Sequence, residues 1–142
     1  MASEWGVTPK QSIEAECKRR GRAKVIACCI DLLEGRSADD NLLLALAGPA
    51  ALTVLDGRAG GRTGYWPRVW AARGLLHAWD DSATRAVVHG ASDESWRVRE
   101  MVAKVVAAHR IDDAVTEMVT LLNDPVPRVR RAAERALLKL GA

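Results

Sequence analysis

Apolar residues recur at helical spacing along most of this chain. From Val98 they fall at Met101, Val102, Val105 and Val106, and from Val129 at Ala132, Ala133, Ala136 and Leu137. Steps of three and four residues place each set on one face of an α-helix, as a stripe that packs into a core. No alternating Val/Ile/Thr run is bounded by hairpin turn signals, so strands are not expected.

Cap and stop residues divide the pattern into elements. Thr8-Pro9 opens a first helix and Gly21 ends it, with Ile13 and Cys17 on its narrow apolar face. A second helix is predicted from about Arg22 to Glu34, with Val25, Ile26, Cys29, Ile30 and Leu33 inward and Gly35 beyond. Ser37 to Asp40 reads as an acidic capping box before NLLLALA. Gly48-Pro49 breaks that helix, and PAALTVLDG makes a short one ending at Gly57. The stretch 57–64, GRAGGRTG, holds four glycines and reads as a mobile loop. Further helices are predicted from Pro67 to about Trp79, from Ser82 or Ala83 to Ala91, and from Ser95 or Trp96 to His109. Two more run from Asp112 or Asp113 to Leu122, and from Arg128 to Leu140.

Three segments align without gaps: YWPRVWAARGLLHAW from Tyr65, ESWRVREMVAKVVAAH from Glu94 and PVPRVRRAAERALLKL from Pro125. Their shared Arg-Val pairs, at Arg68-Val69, Arg97-Val98 and Arg128-Val129, step by 29 and then 31 residues. A period near thirty made of helical units indicates stacked helix pairs. The expected fold is all-α: a right-handed α-solenoid of about four antiparallel pairs in one domain, 1–142. Residues 1–56 form its less regular part and 65–142 the clear repeats.

The last unit, DPVPRVRRAAERALLKLG, resembles a HEAT repeat of the short, phycobilisome-lyase type. That family places an Asp at the end of one helix and a Val-Arg five residues later. Asp93 with Val98-Arg99 and Asp124 with Val129-Arg130 fit; in the first unit Gly64 and Trp70 stand at the corresponding places. The resemblance implies an Asp–Arg ladder between repeats and a scaffold role. YWPRVWAARGLLHAWDD with WRVREMVAK is also similar to small actinobacterial HEAT-repeat proteins. A fainter similarity, through Trp79-Asp80, runs to HEAT-like DNA alkylation-repair glycosylases.

Candidate binding residues follow from the face opposite the stripe. Arg68, Arg97 and Arg128 each precede the first stripe residue, and a stack would set them in a column about 10 Å apart. Arg131, Lys104 and Arg135 lie near, and Trp66 and Trp96 flank the column. Guanidinium forks suit carboxylates and phosphates, so an acidic protein or peptide is the expected partner. Nucleic acid is the alternative, aided by the basic run CKRRGRAK at 17–24. Counted from Val69, Arg73 and His77 interrupt the stripe, and with Trp79 they suggest a polar pocket under the glycine loop.

Composition narrows the function classes. The chain has 21 Lys and Arg against 18 Asp and Glu, so only local clustering can recruit an anion. It has no Phe but five Trp, which marks the tryptophans as core plugs or contact residues. The three His, at 77, 89 and 109, join no Cys or Ser in a catalytic motif; His77 and Asp81 lack a third metal ligand. The expectation is therefore a non-enzymatic module with no cofactor and no metal. Cys17, Cys28 and Cys29 form no CxxC pair and suit a reduced, cytoplasmic setting. Leu138, near the end of the last helix, is expected at an exposed edge that favours a homodimer.

Overall fold

Local chemistry sets the helix boundaries in the computed structural model, which describes residues 5–37 and 39–142. The helices are α1 (Pro9–Arg20), α2 (Arg22–Leu33), α3 (Asp40–Ala47), α4 (Ala51–Leu55), α5 (Tyr65–His77), α6 (Thr84–Gly90), α7 (Trp96–His109), α8 (Val115–Leu121) and α9 (Pro127–Leu140). No strand occurs among the described residues. Thr8 and Gln11 close a full capping box on α1. The cap of α3 is Asp39, whose carboxylate accepts from Leu42 N–H at 2.7 Å; this corrects the expectation of a box begun by Ser37. Asp39 sits one residue before the helix, where a short side chain reaches the orphan N–H groups.

The helices form an α-solenoid of stacked pairs. α2 packs on α5, α5 on α7, and α7 on α9, while α6 and α8 brace α7 and α9 from beside them. α1 and α3 cover α5 at the N-terminal end. One continuous core runs through the stack, from Ile13 and Ile26 through Leu75 and Val102 to Met118 and Leu137. Cys29 is fully buried and Cys28 only partly, as adjacent positions on a helix require. Leu138 is exposed, at 73 %. Among the described residues no helix is long and apolar enough to cross a membrane.

The repeat register differs from the one the Arg-Val pairs indicate. The residues preceding α5, α7 and α9 are Gly64, Ser95 and Val126, separated by 31 residues each time. Buried positions keep that step: Pro67, Val98 and Val129; Ala71, Val102 and Ala133; Leu75, Val106 and Leu137. Arg68 therefore corresponds to Arg99 and Arg130, and Trp66 to Arg97 and Arg128. Pro67 occupies the place of the repeat valine, which it can do because the first turn of a helix tolerates proline. In this register Arg62 and Arg68, rather than Gly64 and Trp70, stand where the later units have their Asp and ladder Arg.

The ladder follows directly. Arg68 donates to Asp93 through Nε at 2.8 Å and Nη2 at 3.2 Å. Arg99 repeats the fork on Asp124 at 2.7 and 3.2 Å. Each aspartate also accepts a backbone N–H two residues on, from Ser95 and Val126, both at 2.9 Å. The remaining guanidinium nitrogen, Nη1, reaches back to the turn before its own helix: Arg68 to Gly64 O, Arg99 to Asp93 O and, likewise through Nη1, Arg130 to Asp124 O. Burial would raise the Asp124 carboxyl, but the Arg99 fork and the Val126 N–H hold it below the usual carboxylate range.

Two outcomes test this account. Asp124→Ala leaves a largely buried guanidinium without its partner and is expected to cost about 3 kcal/mol in urea unfolding. Because the native carboxyl titrates below its unfolded value, this contribution is present above about pH 4 and lost as pH falls through the native pKa. At Gly48, φ is +60° and a Cβ would lie 2.4 Å from the Trp5 indole. Gly48→Ala is expected to cost about 1–3 kcal/mol in the same assay.

Candidate functional site on α5, α7 and α9

The first turns of α5, α7 and α9 carry no acidic residue and no side-chain cap. Basic and aromatic side chains gather there instead. The Arg97 guanidinium lies 4.5 Å from the Trp96 ring, 5.3 Å from Tyr65 and 5.6 Å from Trp66. Trp66 in turn stacks on buried Trp70 at 6.3 Å, so its ring has a fixed orientation. Arg128 approaches Trp96 from the next helix at 5.4 Å and donates to Glu100 at 2.9 Å. Arg131 is exposed. Among the described residues neither Arg97 nor Arg131 forms an ion pair. Cation–π contacts orient a guanidinium while leaving its N–H donors available, unlike a carboxylate pair. Tyr65, Trp96 and Arg97 line a cleft of about 460 Å³ together with Arg68 and Glu94, and Arg97 forms no ion pair with that glutamate.

Of the predicted column, the structure brings Arg97 and Arg128 together with Trp66 and Trp96. Arg68 departs from it: its side chain is 16 % exposed and forked on Asp93, because the true repeat step makes it a ladder residue. Tyr65 was missed, although its place beside Trp66 and one repeat before Trp96 signals it.

Arg73, His77 and Trp79 each have partners of their own, and the Arg73 charge and His109 both reach His77. In the 31-residue register Arg73 and His77 correspond to Lys104 and Ala108 of α7, so they are not interruptions of the core stripe. Arg73 donates to Leu46 O at 2.8 Å, near the C-terminal end of α3, while its Nε is buried with no hydrogen-bond partner among the described residues. Trp79 instead stacks on His109 at 4.7 Å, and His109 bonds Leu75 O at 2.9 Å. Burial, then the Arg73 charge, holds His77 below the usual histidine range, with smaller contributions from Lys10 and His109.

The basic run at 17–24 is largely consumed internally. Arg19 and Arg20 pair with Glu16, Arg20 also with Asp39, and Arg22 donates to Trp79 O. Three of its arginines thus already have partners within the protein, although the Arg19 side chain stays 60 % exposed. The Ser82 hydroxyl and then its N–H, at 2.9 Å, donate to Asp80 and hold its pKa below the usual carboxylate range, which suits a cap rather than a proton donor. Burial pushes the Cys29 thiol up to about 12, out of reach of thiolate chemistry. Among the described residues no group of three His, Cys, Asp or Glu is placed to hold a metal ion.

A 31-residue step, helix pairs and an Arg–Asp ladder define a helical-repeat protein. The family model for HEAT repeats matches residues 65–141, and the chain belongs to that family. No curated protein and no solved structure matches it. HEAT stacks commonly act as scaffolds that present an extended surface to other proteins.

The His77 environment gives a pH test. Its native pKa is depressed, so the unfolded chain takes up the proton first, near pH 6.5. Stability measured by urea unfolding should fall as pH drops from about 7 toward 5, and His77→Gln should flatten that slope.

Proposed function

We propose that this protein is a non-enzymatic binding module whose α7–α9 face takes an acidic segment of a protein or peptide partner. The observation that carries this reading is the Arg97 guanidinium, held among three aromatic rings with no carboxylate of its own. Arg128, Arg131, Trp96 and Trp66 complete the surface. Oriented guanidinium forks match carboxylates in pairs, and the flat rings offer apolar area to neighbouring residues of the segment. Arg68 supports the surface indirectly, by fixing α5 against the turn before α7.

Titration of a labelled oligoglutamate peptide, read by anisotropy, tests it. The wild type should bind, and Arg97→Glu/Arg128→Glu should weaken binding at least tenfold, since charge-assisted hydrogen bonds contribute about 1.5–3 kcal/mol each. Arg19→Glu, on a distant helix, should change little. Absence of peptide binding, with duplex DNA bound at a steep log-log salt slope of about −0.9 per phosphate, would replace the peptide reading with a phosphate-backbone one.

A further inference from the structure

We propose that the groove between α7 and α9 is a binding site for a phosphoryl group, distinct from the arginine–tryptophan face and two helical turns beyond it. The groove has a volume of about 370 Å³. Lys104, Arg110, Arg135 and Lys139 line it over a floor of Ala107, Ala108 and Ala132. No carboxylate lines the groove, and among the described residues none of its four cations forms an ion pair. Cations gathered without counter-charges repel one another, and an anion seated between them relieves that repulsion.

A backbone observation points the same way. α7 ends at Arg110 in the left-handed conformation, φ 50° and ψ 58°. One repeat later α9 ends the same way at Gly141, φ 74° and ψ 22°. The two ends share their closing bonds, Ile111 N–H to Val106 O at 3.1 Å and Ala142 N–H to Leu137 O at 3.0 Å. Glycine is the favoured residue in that conformation, so arginine at this position is held against its own backbone preference. The side chain so placed borders the groove. On its other side it borders a cleft lined by Asp81, Asp112 and Asp113, yet it forms no ion pair with them.

The donor set favours phosphate over carboxylate. Two guanidinium forks and two ammonium groups offer more donors and charge than one carboxylate can satisfy. A phosphomonoester carries about two negative charges and three acceptor oxygens, and a diphosphate carries more of both. The alanine floor leaves room for the group and gives it no competing acceptor side chain.

Calorimetric titration with inorganic pyrophosphate, and with a phosphoserine peptide of otherwise uncharged sequence, tests the site. Wild-type protein is expected to bind at least one probe. Pyrophosphate alone would indicate a free phosphate ligand, and the peptide would indicate a phosphorylated residue. Arg110→Gly should raise the unliganded Tm by roughly 3 °C and yet weaken binding about tenfold. Arg135→Ser and Lys139→Ser, both at exposed positions, should weaken it similarly. Arg97→Ser/Arg128→Ser, which removes the acidic-segment surface, should leave pyrophosphate affinity unchanged, so the two readings fail separately. The proposal is overturned if neither probe binds at millimolar concentration, if Arg110→Gly binds as tightly as wild type, or if the Arg97/Arg128 variant loses pyrophosphate binding.

Discussion

The bidentate pairing of an arginine in one helix with an aspartate in the turn before the next is the constraint on which this stack depends. Helix packing alone permits sliding, because alanine- and valine-rich surfaces such as those of α7 and α9 interdigitate at more than one offset. The Arg68–Asp93 and Arg99–Asp124 forks remove that freedom. Each aspartate is itself fixed by a backbone N–H, and each arginine is tied back to its own turn. Buried ion pairs offset their desolvation poorly, so the ladder contributes order more than net stability. With α5, α7 and α9 set in one register, the first turns of three helices lie side by side and their side chains meet.

Most of the fold was legible in the sequence because helical periodicity, glycine stops and the thirty-residue recurrence all agree. The error of register came from one coincidence. Arg68-Val69 imitates Arg97-Val98, whereas the true counterpart of Val98 is Pro67, an apolar residue that pattern matching discards as a helix breaker. Shifting the first unit by two residues turned Arg68 from a surface residue into a ladder residue, and it moved Arg73 and His77 from the core stripe to half-buried positions on its flank. The internal pairing of the basic run at 17–24 was hidden for a different reason. Glu16, Asp39 and the Trp79 carbonyl neutralise or engage its arginines, and two of those three partners are remote in sequence.

The candidate site was partly legible. Arg97 and Arg128 recur at the 31-residue step, whereas Trp66 and Trp96 matched only through the two-residue slip, since Trp96 corresponds to Tyr65. Their mutual geometry was not legible, since it depends on Trp66 resting on Trp70 and on Trp96 lying between two arginines of successive helices. Arg110 was invisible for a related reason. Its significance lies in a backbone angle and in the glycine that occupies the same place one repeat later, and neither shows in local composition.

The ring cluster around Arg97 has an optical consequence. Indole emission responds to the charge and polarity next to the ring, and here two of the five tryptophans face a single guanidinium. Anything that draws that guanidinium aside changes the surroundings of Trp66 and Trp96 together, while Trp79 stays stacked on His109. The chain thus carries an intrinsic fluorophore pair at the surface where a partner would arrive, with a third indole elsewhere as an internal reference.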